Sequence, residues 1–302
     1  INTRRECMVS SLVGMFSDYI LEPNDWRGHR EYSTRLLLAP HRQYARTLNR
    51  GDKPMALKLY QFAISHYCEK IRWALEYKGL NYETVNLLPG QHVKTIRKLT
   101  GQASSVPVLE HDGQVVQGSA AILDYLDQAF PEHSLTPEDP DLREQALAWE
   151  RRLDEEAGPA IRCYSYHHFL QRPKIVVPML AAGTPFYNRI LLSLAFSRVD
   201  EVMRQWMKIN EKTSEKSRQV MEDLLTELAA IYAERPFLVG NQFTRADLTA
   251  AALFAPMFQP AQYPVPWPKP ARIPKDIKTW LDQWQPQIRA LEKVYSDNRR
   301  PD

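Results

Sequence analysis

The chain has 302 residues, 44% of them apolar and 25% charged; at roughly 150 residues per domain this predicts two domains with a core each, and excludes a disordered, collagenous or channel-forming chain. A balance of 39 basic against 36 acidic side chains, formally +3, is too even for the basic stripe of a nucleic-acid binder. Three cysteines, Cys7, Cys68 and Cys163, are odd in number and far apart, which makes no disulfide framework and suits a reducing, cytoplasmic setting.

Residues 1–54 stand apart in composition. They hold eight arginines and a single lysine, Lys53, and carry all of the net charge; from Met55 onward the two signs balance. Ser33 to Arg50, with four arginines, no acid and the run Leu36-Leu37-Leu38, resembles an organellar presequence. The acid-bearing stretch before it does not. The leader therefore reads first as upstream translation, with Met55 as the natural start, and second as a transit peptide for organellar import or a genuine N-terminal extension.

From Leu57 the pattern is β-α-β-α-β-β-α. Leu57 to Phe62 alternates and reads as a strand. Ser65 caps a helix over Tyr67 to Tyr77, which Gly79 ends. Tyr82 to Leu87 is a second strand, Val93 to Leu99 a short helix and Val106 to Leu109 a third strand. Asp112-Gly113 marks a hairpin into Val115-Val116. Ser119 then opens a helix over Ala121 to Phe130, stopped by Pro131. This order describes a thioredoxin-like unit within 55–136.

Pro137 to Pro140 reads as a linker. Helical periodicity then covers Asp141 to Phe169, Phe186 to Asn210, Glu215 to Glu234, Asp247 to Met257 and Asp276 to Tyr295, predicting an all-α bundle over 141–296. The prolines from Pro256 to Pro274 predict a rigid non-helical connector, with a PxxP ligand as the alternative. An uncharged apolar run between Lys174 and Arg189 is 14 residues long with Pro178 and Pro185 inside it. About 20 apolar residues are needed to span a bilayer, so no transmembrane segment is predicted. The run reads as core or pocket lining, with a place on a membrane surface as the alternative.

No two glycines stand as G-x-G, and where Gly113 to Gly118 has P-loop spacing, Ser119 occupies the lysine position. Dinucleotide and Walker-type sites are therefore not encoded. Cys163 and His167 lie one helical turn apart, but two ligands make no zinc site, so no metal is expected. Ser65, at a helix N-terminus after a strand, can be a plain cap or a hydroxyl that stabilises an anion. Cys68, one turn later, reads as a buried small hydrophobe or a monothiol nucleophile. With Ser65 at the first position, C-x-x-C exchange cannot operate. Pro107 after Val106 is a place for a cis peptide, with a trans proline at a strand start as the alternative. Tyr164, Tyr166 and Phe169 suit either an apolar substrate pocket or core packing.

Taken together, the chain from about 55 to 295 resembles the soluble glutathione transferases. Ser65-His66-Tyr67-Cys68 looks like that family's Ser-x-x-Cys active-site turn. Gly90-Gln91-His92 resembles the theta-class loop that holds the glycine carboxylate, Val106-Pro107 the cis-proline turn, and Ser119 the helix start that holds the γ-glutamyl carboxylate. Pro236-Phe237-Leu238-Val239-Gly240 with Phe243 to Asp247 is similar to the capping box of the family's helical domain. The sequence departs from the family at Gly101-Gln102, at Ser104 and Ser105, at His66 in place of proline, and at Gly118 in place of Glu or Gln.

The resemblance implies an α+β two-domain fold, thioredoxin-like first and helical second. It further implies glutathione as co-substrate, Ser65 as the catalytic hydroxyl, and detoxifying conjugation of small apolar electrophiles by a homodimer. It places His92 as a partly solvated loop histidine whose protonated ring meets a carboxylate, so that binding weakens as pH rises past about 6.5. Two other functions stay open: a glutathione-dependent reductase or thiol transferase acting through Cys68, and a non-catalytic binding protein of the same fold.

Overall fold

The computed structural model describes residues 57–101 and 104–299. The expected leader, Cys7, Met55 and Gln102 lie outside the described residues. Four strands, β1 (Leu57–Gln61), β2 (Tyr82–Asn86), β3 (Val108–His111) and β4 (Gln114–Gln117), form one mixed sheet in the order β2-β1-β3-β4. β1 runs parallel to β2 and antiparallel to β3, and β4 returns antiparallel to β3. The β3–β4 loop is the predicted Asp112-Gly113 pair, both residues at positive φ, +48° and +86°, as the twist of a two-residue hairpin demands. Helices α1 (His66–Tyr77), α2 (His92–Thr100) and α3 (Ser119–Ala129) complete the unit.

The alternation of β1 turns Leu57 and Leu59 inward, and Gln61 with them, only 1% exposed. A buried amide needs partners. Gln61 has them: its Nε2 donates to Asn86 Oδ1 at 3.0 Å and its Oε1 accepts from Arg72.

The second domain holds α4 (Pro140–Glu155), α5 (Ala157–Phe169), α6 (Pro173–Leu180), α7 (Phe186–Leu194), α8 (Phe196–Trp206), α9 (Glu211–Glu234), α10 (Arg245–Phe258) and α11 (Lys275–Asn298). Three expectations need correction. The predicted single helices over Asp141 to Phe169 and Phe186 to Asn210 are each broken in two, at Glu156 and at Ala195. The apolar run after Lys174, which no helix was expected to include, begins within α6, where Pro173 sits in the first turn, Pro178 lies inside the helix, and Val176, Val177, Met179 and Leu180 are buried, as the core reading expects. Pro256 lies inside α10 instead of in the connector, which keeps only a 3-10 turn at Pro270–Arg272.

α10 is the hub. From Arg245 to Ala255 every residue is buried, and its alanines let α1, α4 and α11 approach closely. Its start is the predicted capping box: Thr244 accepts from Ala246 N–H, while Asp247 accepts from the N–H groups of Thr244 and Leu238 and from the Tyr232 hydroxyl. The two domains are joined by buried charge. Lys70 of α1 is wholly buried and reaches Glu150 at 2.6 Å and Asp154 at 2.8 Å on α4. Arg245 binds Glu150 from the other side and also Asp124 of α3. Burial opposes the Glu150 charge, but Lys70 and Arg245 outweigh it and hold its carboxyl below the usual range.

Candidate active site

Strand register gathers the predicted residues at one end of the sheet. β1 leads into the turn before Ser65, and Leu87 N–H donates to Gln61 C=O at 2.9 Å, so the chain leaving β2 starts beside that turn. Tyr60 pairs with Val108, which brings Val106 and Pro107 to the same end. Val108 in turn pairs with Gln117, and Gly118 N–H donates to Pro107 C=O at 3.0 Å, so Ser119 follows alongside. The Phe62 ring meets the His92 ring edge-on, centroids 4.8 Å apart. The register thus brings Ser65, Val106-Pro107 and Ser119 to one end of the sheet, with His92 against Phe62 beside them, where α1, α2 and α3 begin. Helix N-termini favour anions.

Each residue has a defined state. Ser65 has extended backbone, φ −75° and ψ 123°, and its Oγ accepts from Cys68 N–H at 3.3 Å, the predicted cap. An accepting hydroxyl keeps its own hydrogen free to donate, so capping and anion stabilisation are compatible. The Val106-Pro107 peptide is cis, and among the described residues nothing pairs with the Val106 backbone. Gln117 Nε2 braces the preceding segment through Ser105 C=O at 2.8 Å. Ser119 is the first residue of α3, and its hydroxyl has no partner among the described residues. Gly118 before it adopts φ +95°, ψ 140°, a region essentially closed to side-chain-bearing residues. That conformation accounts for glycine at this departure from the family pattern, and the αL cap at φ +72° accounts for glycine at position 101.

His92 corrects its expectation. It is the first residue of α2, not a loop residue, and its Nδ1 accepts from Gly90 N–H at 3.1 Å. Burial lowers its pKa to about 4, with the Leu88 backbone opposing. The ring is therefore neutral near pH 7, with the proton on Nε2. It can donate to a carboxylate but brings no charge.

Cys68 is fully buried. Burial pushes its thiol up, only partly offset by Arg72 and Ser65, the opposite of an activated thiolate. Tyr164 and Phe169 belong to the helical core, with Tyr164 against Trp280 at 5.5 Å between centroids. Tyr166 is only half-buried, and burial pushes its hydroxyl up to about 12. It follows Gly158 and Arg162 at four-residue steps along α5, and Gly158 abuts α1 so closely that a Cβ there would lie 2.0 Å from the Tyr67 hydroxyl. That hydroxyl donates to Asp154 C=O at 2.6 Å. Arg162 itself carries no ion pair to a described residue and, after burial, is the next cause lowering the His66 pKa to about 3. Sequence reasoning passed over Arg162; its signal is a lone cation on an otherwise apolar stretch of α5. A groove of about 460 Å³ near β2, lined by Gln61, Arg72, Tyr82 and Gly183 among others, contains none of the gathered site residues.

Comparison with known proteins bears on the domain and the fold that carry these residues. Residues 59–134 match the family model described as glutathione S-transferase, N-terminal domain. This match covers the first of the two domains, where the chain is similar to the N-terminal domain of glutathione S-transferases. Among curated relatives, glutathione S-transferase 1 of Dianthus caryophyllus is 36% identical over 102 residues, 33% of this chain and 45% of that protein. Protein LigF of Sphingobium sp. (strain NBRC 103272 / SYK-6) is 39% identical over 106 residues, 33% of this chain and 41% of that protein. The chain thus spans about half the length of the curated relatives it matches. The fold extends further. The crystal structure of the beta-etherase LigF superposes with a TM-score of 0.53 at 21% identity, covering 80% of this chain and 99% of that one. A glutathione S-transferase from Methylobacterium radiotolerans, in complex with glutathione sulfonate, superposes at 0.52 and 20% identity, covering 82% of this chain and 96% of that one. The thioredoxin-like domain followed by a helical domain is thus the glutathione S-transferase fold. Among the described residues no group of three or more His, Cys, Asp or Glu could hold a metal, and no helix is long and apolar enough to cross a membrane.

Proposed function

We propose that the protein is a glutathione transferase that uses Ser65 to stabilise the glutathione thiolate for attack on a small electrophile. The observation that carries this reading is the convergence of Ser65, His92, Val106-Pro107 and Ser119 at the sheet end where three helices begin. In this reading the unpaired Val106 backbone pairs with the extended tripeptide. Ser119 and the α3 N-terminus hold the γ-glutamyl carboxylate, and His92 Nε2–H donates to the glycine carboxylate. The thiol loses its proton to solvent, the sulfur lone pair forms the new C–S bond, and the leaving group departs with its electron pair. Apolar electrophiles are the proposed class. An aryl ether belongs in the test panel, because LigF is described as a beta-etherase. A homodimer in the cytoplasm, with a role in detoxification, completes the proposal.

Titration calorimetry with a non-reactive S-alkyl glutathione tests the site. Ser119→Ala removes a hydrogen bond to a charged group, about 1.5–3 kcal/mol, and weakens binding about ten- to hundredfold. Unchanged affinity would sink the assignment. Binding without turnover of any electrophile in the panel would favour the non-catalytic alternative. The thiol-transferase alternative is opposed by the burial and raised pKa of Cys68.

A further inference from the structure

α7 presents an unusual outer face. Phe186, Ile190 and Leu194, at four-residue steps on one side of the helix, are 81%, 55% and 61% exposed, and Tyr187 beside them is 52% exposed. The inner side is anchored by Leu192, fully buried, and Asn188, at 8%, so the helix is a fixed ridge on α6 and α8 and not a loose segment. The base of the ridge is held against the sheet as well. Gly183, at φ +72°, lies where a Cβ would come within 2.5 Å of Asn86 on β2. An exposed apolar row of this kind marks an interaction surface.

The charge around the ridge is one-sided. From Ala157 to Val199 the chain contains no Asp or Glu, yet carries Arg162, Arg172, Lys174, Arg189 and Arg198. Arg172, Lys174 and Arg189 are exposed and make no ion pair with any described residue. The nearest acids in sequence, Asp200 and Glu201, are neutralised by Arg204 and Arg198. Trp206, ending α8, adds an exposed ring. An apolar row with the unpaired cation Arg189 on the same helix, and Arg172 and Lys174 at the start of the helix before it, is complementary to an anionic lipid surface, where side chains enter the acyl boundary and basic groups meet headgroups. Nine residues, about 14 Å of helix, can lie on such a surface but not cross it.

We infer that α7 and its basic flanks form a docking surface for an anionic membrane, seating the protein at a bilayer independently of its glutathione site. Flotation of the full chain with vesicles tests this. Binding is expected to phosphatidylcholine vesicles containing phosphatidylglycerol, weakening with salt as surface charge is screened, and to be much weaker on phosphatidylcholine alone. Phe186→Ser/Ile190→Ser/Leu194→Ser, all at exposed positions, should weaken binding about a hundredfold or more. Lys174→Gln and Arg189→Gln should each weaken it roughly fivefold. Circular dichroism and S-alkyl glutathione affinity should be unchanged in all three variants.

Three results would overturn the inference. One is no binding, or equal binding to both vesicle types. Another is a change in the oligomeric state of the triple variant on sedimentation, which would assign the face to a second copy of the chain. The last is strong hydrogen-exchange protection of 186–194 in the vesicle-free monomer, which would show that another part of the chain covers it.

Discussion

Ser65→Ala separates the cap that the hydroxyl forms from the donor role proposed for it. As an acceptor, Ser65 Oγ caps α1 through Cys68 N–H at 3.3 Å. Losing a cap costs about 1 kcal/mol, a fall of roughly 2–4 °C in Tm for a chain of this size. In the proposed role of donor to a bound thiolate, it would make a charge-assisted bond worth about 1.5–3 kcal/mol. At about 1.4 kcal/mol per pKa unit, removing that donor raises the bound thiol pKa by about one to two units. Below the wild-type thiol pKa the conjugation rate should therefore fall about ten- to hundredfold, and the deficit should close as pH rises and the variant's thiol ionises unaided. The assay is the pH–rate profile of both proteins on one aryl halide, with thiolate absorbance of the bound complex as a direct titration. A rate ratio that stays constant across the pH range, or an unchanged thiol pKa, would refute the donor role and leave Ser65 a cap alone.

Further outcomes follow from the geometry. His92 has its pKa lowered to about 4, so it stays neutral from pH 6 to 8 and His92→Ala should weaken S-alkyl glutathione binding by the same factor at both ends; a loss confined to the acid end in calorimetry would restore the charged-histidine reading. Lys70→Met strips the cation shared by Glu150 and Asp154. Breaking a buried pair costs about 3–5 kcal/mol, so calorimetric Tm should drop by roughly 6–20 °C, and a drop within a degree or two would show that the interdomain network contributes little. Cys68→Ala should leave conjugation intact, and mass spectrometry of the wild type after oxidised glutathione at neutral pH should show no adduct on Cys68; a mixed disulfide there would revive thiol transfer.

Local order was legible in the sequence wherever one residue type answers a local demand. Ser65 before a helical pattern, Asp112-Gly113 between alternating runs, and Thr244 three residues before Asp247 each declare a cap or a turn, because the partner groups lie within four residues. The site residues were legible as separate signals. What joined them was register, Tyr60 against Val108 and Val108 against Gln117, which depends on strands far apart in the chain. The ionisation of His92 was beyond the sequence, since it follows from burial against Phe62 and a bond from Gly90. So were the pairing of Lys70 with Glu150, eighty positions away, and the all-round burial of α10. The same holds for the apolar run after Lys174. Its composition suited core or surface alike, and only packing divided it, burying α6 while leaving one side of α7 bare. Burial is a property of neighbours, and those neighbours are supplied by the fold.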